Sequence, residues 1–365
     1  MTLPKAARYL AALLVFPFAA GVLLLLLLLL PTPDKRHHVF VQGTREFGIG
    51  FDLSASYGSV AVSYPDGSVQ AIARVDGNEA YRKMMLRLSL GSSTHFHRPY
   101  QNVGDTLADI PRQSLRSIRK QLGLPASGDV GTLSTMIGSL RDKASEFVGE
   151  PVTVAAISRP HIAALYSEDL SDAFEYLSID WLEIFSYGAQ HELQPIYTTK
   201  AAHAGNGHGL CADYRDFVTC RKEERNLPVQ WALSVAYTDA SLFTSLVRLG
   251  DAYSLEEGPA LEGAMHLGFG ARHEESYWEK VRDMLRHPIV SSAIERDVSM
   301  VLLCGDAAQE PRFRELFDEV VSELVDDEPE VFDHNPEYSA AKGVAELAKR
   351  ELYTRRQEPE GESDL

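Results

Sequence analysis

A mixed α/β fold is predicted by three observations on this 365-residue sequence. Apolar residues alternate with polar ones in several short runs, recur at helical spacing in longer ones, and the two kinds of run interleave along the chain. Apolar residues make up 45% and charged residues 24%, a globular balance. The length suits two or three structural units and a large core that needs no disulfide staples. With 35 Lys and Arg against 52 Asp and Glu, the net charge of −17 excludes a general nucleic-acid binder. Three cysteines exclude a disulfide scaffold.

The first element is an apolar helix. Tyr9 to Leu30 carries no charge and ends in eight consecutive leucines, Leu23 to Leu30. At about 1.5 Å per residue the run spans roughly 33 Å, enough for a bilayer core. It is longer than the apolar stretch usual in a cleaved signal and ends without small residues at a cut site, so it reads as a single-pass signal anchor in a secretory-pathway membrane; a cleaved signal peptide and a buried soluble helix are the alternatives. Lys5 and Arg8 on one flank face Lys35, Arg36 and Arg45 on the other, so the charges choose no orientation.

A polar linker follows over residues 31–46. Phe47 to Leu53 alternates as a strand, Ser59 to Tyr64 is a second, and Pro65-Asp66-Gly67 turns the chain into a third over Val69 to Val75. Val130 to Val148 has an amphipathic helical pattern stopped by Gly149-Glu150-Pro151, and Val152 to Ile157 is a short apolar strand. Strands over Val229 to Tyr237 and Leu242 to Arg248 come next. Helix Ser276 to Leu285, strand Ser299 to Cys304, helix Arg312 to Leu324 and a last helix from Tyr338 to Leu352 complete the order. Residues 353–365 read as an acidic disordered tail. No short-period repeat is present.

The order of these elements resembles the nucleotide-binding half of the heat shock protein 70 family, within the actin-like ATPase superfamily. Gly50-Phe51-Asp52-Leu53-Ser54-Ala55-Ser56-Tyr57 is similar to that family's first phosphate loop. Leu133 to Val152 looks like the following helix and strand. Ala236 to Val247 falls at the second phosphate loop, Gly305 to Pro311 at the adenosine motif, and Asn335 to Ala345 resembles the closing helix. The likeness covers about 300 residues through order and spacing rather than through any one motif. It implies a two-lobed actin-like (ribonuclease H-like) fold, with lobe I over 47–227 and 338–352 and a reduced lobe II over 228–337. No peptide-binding half follows.

The family's cofactors, ATP and Mg²⁺, need Gly-rich turns and a metal-side carboxylate. Asp52 stands at that carboxylate in loop one, or else caps a turn at a strand end. Ser54 replaces a loop Gly, and Ser56 keeps a hydroxyl beside Tyr57. In loop two Ala236 replaces the Asp, the three glycines are lost, and Asp239 lies three residues late. In the adenosine motif Gly305 is kept but Asp306 replaces a Gly. The stretch from Phe269 to Cys304 is too short for the family's adenine-clamping subdomain. The expected nucleotide cleft is therefore Asp52, Ser54, Ser56, Tyr57, Asp239, Gly305 and Asp306. No catalytic residue and no metal site is assigned. The reading is a pseudo-ATPase that acts as an interaction scaffold for an unknown protein partner. The alternative is a residual ATP-binding switch or slow ATPase.

Other constellations are weaker. His203, His208, Cys211 and Cys220 lack a standard zinc spacing, and their cysteines are open to a disulfide, to zinc or to staying unpaired. Asp318 to Asp333 holds eight carboxylates and no Lys or Arg, which reads as a solvated face. No hydrolase elbow or His-Glu-x-x-His motif occurs.

Overall fold

The computed structural model describes residues 46–184, 196–253, 257–292 and 297–357. The apolar run 9–30 and the last eight residues of the acidic tail lie outside them. Among the described residues no helix is long and apolar enough to cross a membrane.

The fold is mixed α/β with two sheets, as the interleaved periodicities require. Strands β1 (Gly48–Leu53), β2 (Tyr57–Ser63) and β3 (Val69–Asp76) form an antiparallel meander. Helices α1 (Glu79–Leu88), α2 (Val103–Gln121) and α3 (Gly128–Val148) lead to β4 (Val154–Arg159), which lies parallel to β1. Helix α4 (Ser167–Tyr176) then returns the chain to β5 (Asp180–Trp181), and β6 (Ile196–Tyr197) also pairs with β4. The sheet order is β3-β2-β1-β4-β5.

After α5 (Thr198–Gly205) and α6 (Phe217–Arg225) the same plan recurs. Strands β7 (Gln230–Tyr237), β8 (Leu242–Leu249) and β9 (Glu257–Ala264) form a second antiparallel meander. Helix α7 (Tyr277–Ser291) crosses to β10 (Val298–Cys304), parallel to β7. Helix α8 (Pro311–Leu324) crosses to β11 (Glu330–Phe332), parallel to β10. Both sheets therefore share one topology, three antiparallel strands followed by two parallel crossovers. Each has its own core, around Phe51, Leu133, Ile137 and Phe174 in the first and around Leu233, Leu285, Phe313 and Phe317 in the second.

Helix α9 (Ser339–Gln357) returns to the first sheet. It runs past Leu352, so residues 353–357 continue the helix instead of starting the tail. Its backbone lies on β1 because Gly48 and Gly50 carry no side chain; a Cβ on Gly50 would sit 2.2 Å from the Ala345 nitrogen. Gly343 and Gly205 allow α9 and α5 the same intimacy, since a Cβ on Gly343 would meet the Ala201 carbonyl oxygen at 1.7 Å. Glu346 on the buried side of α9 accepts from Ser63 Oγ at 2.5 Å and pairs with Lys349 and Arg350 at 2.7 and 2.8 Å.

Helix α2 was hidden in the sequence by Pro111, a residue that usually interrupts helices. Helix α7 likewise runs through Pro288, beyond the expected end at Leu285. Between Phe269 and Cys304, α7 is the one α-helix among the described residues, matching the short segment expected there. Cys211 and Cys220 form a disulfide, so their sulfurs bind each other rather than zinc. The acidic stretch is partly neutralised from outside itself, by Arg282 on Glu319, Arg286 on Glu323 and Arg314 on Asp333.

Candidate functional site

The duplicated topology places two hairpin turns face to face. Residues 53–58 join β1 to β2, and residues 237–242 join β7 to β8. In the first sheet Asp52 pairs in register with Ser59 on β2 and with Ser158 on β4. The corresponding positions of the second sheet are Ala236, Phe243 on β8 and Cys304 on β10. One half of the cleft is thus polar where the other is apolar.

Asp52 is buried. Ser158 Oγ donates to its Oδ1 at 2.6 Å, and Thr198 Oγ1 lies 3.4 Å from the same oxygen. Burial pushes the carboxyl up to about 7, and the two hydroxyls offset only part of that rise. Cys304 is also buried, and burial pushes its thiol up to about 12. Among the described residues, the buried hydroxyls of Ser56 and Ser59 have no hydrogen-bond partner.

The turns satisfy their own backbone. In the first, Ser54 N–H donates to the Tyr57 carbonyl at 2.9 Å, while the N–H groups of Ser56 and Tyr57 donate to Ser54 Oγ at 3.3 and 3.2 Å. In the second, Thr238 N–H donates to the Ser241 carbonyl at 2.9 Å, and Ala240 and Ser241 donate to Thr238 Oγ1 at 3.2 and 3.0 Å. Asp239 N–H donates to Asp306 Oδ1 at 3.1 Å. Gly305, left-handed at φ 97°, donates its N–H to the Pro336 carbonyl at 3.1 Å. These are the donors a phosphate would need.

Side chains also bridge the cleft. Arg74 on β3 pairs with Asp306 at 3.0 Å, and Arg82 on α1 pairs with Asp239 at 3.1 Å. Phe243 packs from the second sheet against the first core. Between the halves lies a cavity of about 20 Å³ lined by both, with Asp52, Ser54, Tyr57, Thr198, Phe243 and Cys304 among its walls, and a second of the same size adjoins it at Thr198, Ala236 and Phe243. Each has room for roughly one water.

Of the residues expected from sequence, Asp52, Ser54, Tyr57 and Gly305 line the cavity. Ser56 lies in the first turn behind it. Asp239 and Asp306 do not line it; Asp306 is drawn into an ion pair with Arg74 on β3, and Asp239 into one with Arg82 on α1. Tyr237 points away, stacking on Phe313 at 4.2 Å and sharing a hydrogen bond with Tyr277 at 2.7 Å. Thr198, Ser158, Arg74 and Arg82 carried no motif that marked them in the sequence. The residues present do not fit a Mg²⁺–triphosphate in this arrangement. The turn N–H groups named above are already taken, Ala236 offers no carboxylate at the position that matches Asp52, and Asp306 brings a carboxylate to the turn after β10. No known protein-family model matches the chain, and no curated protein matches it.

Proposed function

We propose that this chain is a membrane-tethered actin-like protein of the heat shock protein 70 type whose nucleotide cleft has become a closed structural joint, and that it acts as an interaction scaffold. The observation that carries the reading is the self-satisfied pair of turns around a cavity of about 20 Å³. The duplicated sheet topology supports the two-lobed actin-like assignment, because each lobe of that fold follows the same strand order. The uncharged run 9–30 supports the tether. The Cys211–Cys220 disulfide supports a body held on the oxidising side of the membrane.

A residual nucleotide switch is the second reading. It is favoured by the unpartnered hydroxyls of Ser56 and Ser59 close to Asp52. The two part in a thermal-unfolding titration of the full chain in detergent with ATP and Mg²⁺. A ligand at one hundred times its Kd stabilises by about 2.7 kcal/mol. The scaffold reading expects no shift at millimolar nucleotide. A shift that disappears in Asp52→Ala overturns it and establishes the switch.

A further inference from the structure

Helix α2 is seated inside out. Its buried residues are Asp109 and Arg116, 3% and 6% exposed. Arg116 reaches Asp169 at 2.8 Å and Asp172 at 2.6 Å on α4, Arg112 pairs with Glu168, and Lys120 reaches Asp172 at 2.9 Å and Glu175 at 2.5 Å. The opposite face carries Val103, Leu107, Pro111, Leu115, Ile118 and Leu122, spaced by steps of three and four so that they form one stripe. Val103 is 75% exposed, Leu107 61% and Leu122 69%. Over 19 residues the stripe is about 28 Å long. An ordinary surface helix has the reverse arrangement, so folding alone does not account for this face.

We infer that this stripe lies on the lipid surface to which the chain is tethered, with α2 flat in the interface as an amphipathic helix. The inference rests on the anchoring reading of residues 9–30. Fifteen residues separate the end of the anchor from Glu46, a reach of about 50 Å when extended, which is comparable to the diameter of a body this size. The bilayer is therefore held within reach of the stripe at high effective concentration, where a modest apolar contact suffices. Charge sets the orientation. Residues 79–125 carry eight Lys and Arg against three Asp and Glu, and the four α4 carboxylates paired with this face (Glu168, Asp169, Asp172 and Glu175) bring it to +1, near balance in a chain of −17. The acidic run of α8 and β11 is repelled by an anionic leaflet and turns away. Arg112, Arg116 and Lys120 are already paired with α4, so the contact itself is apolar and changes little with salt.

The test is photolabelling of the full chain in phosphatidylcholine vesicles that contain a lipid carrying a diazirine on its acyl chain, with label mapped by peptide mass spectrometry. Label on both 9–30 and 103–124 is expected. The variant Leu107→Ser/Leu115→Ser/Ile118→Ser should lose label from 103–124 and keep it on 9–30, with unchanged thermal unfolding because the changed residues are solvent-facing. Label on 9–30 alone overturns the inference and leaves the anchor standing. Label on 103–124 alone overturns the anchor and leaves the lipid contact standing. An absence of label on both overturns both. A Leu115→Cys variant that yields cross-linked dimers without lipid label also overturns it, by assigning the stripe to a second copy.

Discussion

Arg74 on β3 crosses the cleft to Asp306, beyond the end of β10, with Nη2 3.0 Å from Oδ2. The same guanidinium lies 4.7 Å over the Tyr57 ring and pairs with Asp76 at 2.7 Å. Asp306 in turn accepts the Asp239 N–H. One ion pair thus joins the first sheet to two turns of the second, the one after β7 and the one after β10. Burial pushes the Asp306 carboxyl up, and the Arg74 charge offsets that only in part.

This joint should contribute measurably, because Asp306 is largely desolvated. Arg74→Ala is expected to cost about 1–3 kcal/mol, since it leaves Asp306 without its cation. The neighbouring bridge is a built-in comparison. Arg82 and Asp239 are 43% and 45% exposed, so Arg82→Ala should cost no more than about 1 kcal/mol. Urea unfolding of the two variants checks the order. Equal losses would show that the Arg74 pair is no more than a surface contact.

Asp52 makes stability depend on pH in an unusual direction for a carboxylate. Its folded pKa is about 7, against 3.8 for the free group. Between these values the folded state holds a proton that the unfolded state has released, so stability is full below about 4 and is lost as pH rises through 7. At about 1.4 kcal/mol per unit, the loss is on the order of 2–4 kcal/mol. His203, which burial lowers to about 4, acts oppositely over part of this range. The informative quantity is therefore the difference between wild type and Asp52→Asn. That difference should move in favour of the Asn variant from pH 4 to pH 8, and a flat difference would refute the raised pKa.

The opening meander, the long helix over Val130 to Val148 and the strand ending at Cys304 were legible from local signals: apolar alternation in β1, the Pro65-Asp66-Gly67 turn after β2, helical spacing closed by Gly149, and a short apolar run before Gly305. The duplication was not legible. It lives in strand order, while the matching positions diverge chemically, Asp52 against Ala236 and Ser158 against Cys304. Nor did the sequence mark Asp239 and Asp306 as ionic ties, since Arg74 and Arg82 sit more than 150 residues away on other elements. Helix α2 escaped for two local reasons. Pro111 breaks the expected pattern, and its charged face is the buried one.

The crossing of α5 and α9 has no room for a methyl group. A Cβ on Gly343 would stand 1.7 Å from the Ala201 carbonyl and 2.6 Å from the Gly205 nitrogen, both backbone atoms that cannot rotate aside. Gly343→Ala should therefore destabilise by about 3 kcal/mol or more, although Ala favours a helix by up to about 1 kcal/mol over Gly. Gly131→Ala on α3 is the control, because its Cβ would meet only Pro125 side-chain atoms at 3.4 Å or more. Thermal unfolding should show a loss for the first and a small gain for the second.

The disulfide stabilises the segment that leads into the second sheet, and it does so beside a buried charge cluster. Arg350 donates to the Cys211 carbonyl at 3.1 Å and to Glu346 at 2.8 Å. The bridge therefore fixes the acceptor of a guanidinium that the fold buries. Bridging residues nine apart removes chain entropy worth about 2–3 kcal/mol from the unfolded state. Cys211→Ser/Cys220→Ser should lose about that amount under oxidising conditions and become insensitive to reductant, whereas the wild type should lose stability when reduced. Glu346→Ala strands Lys349 and Arg350 without their carboxylate and is expected to cost about 3–5 kcal/mol. If the bridge and the cluster are coupled through Arg350, the combined variant should lose less than the two separate losses together, and strict additivity would show that the shared guanidinium transmits nothing between them.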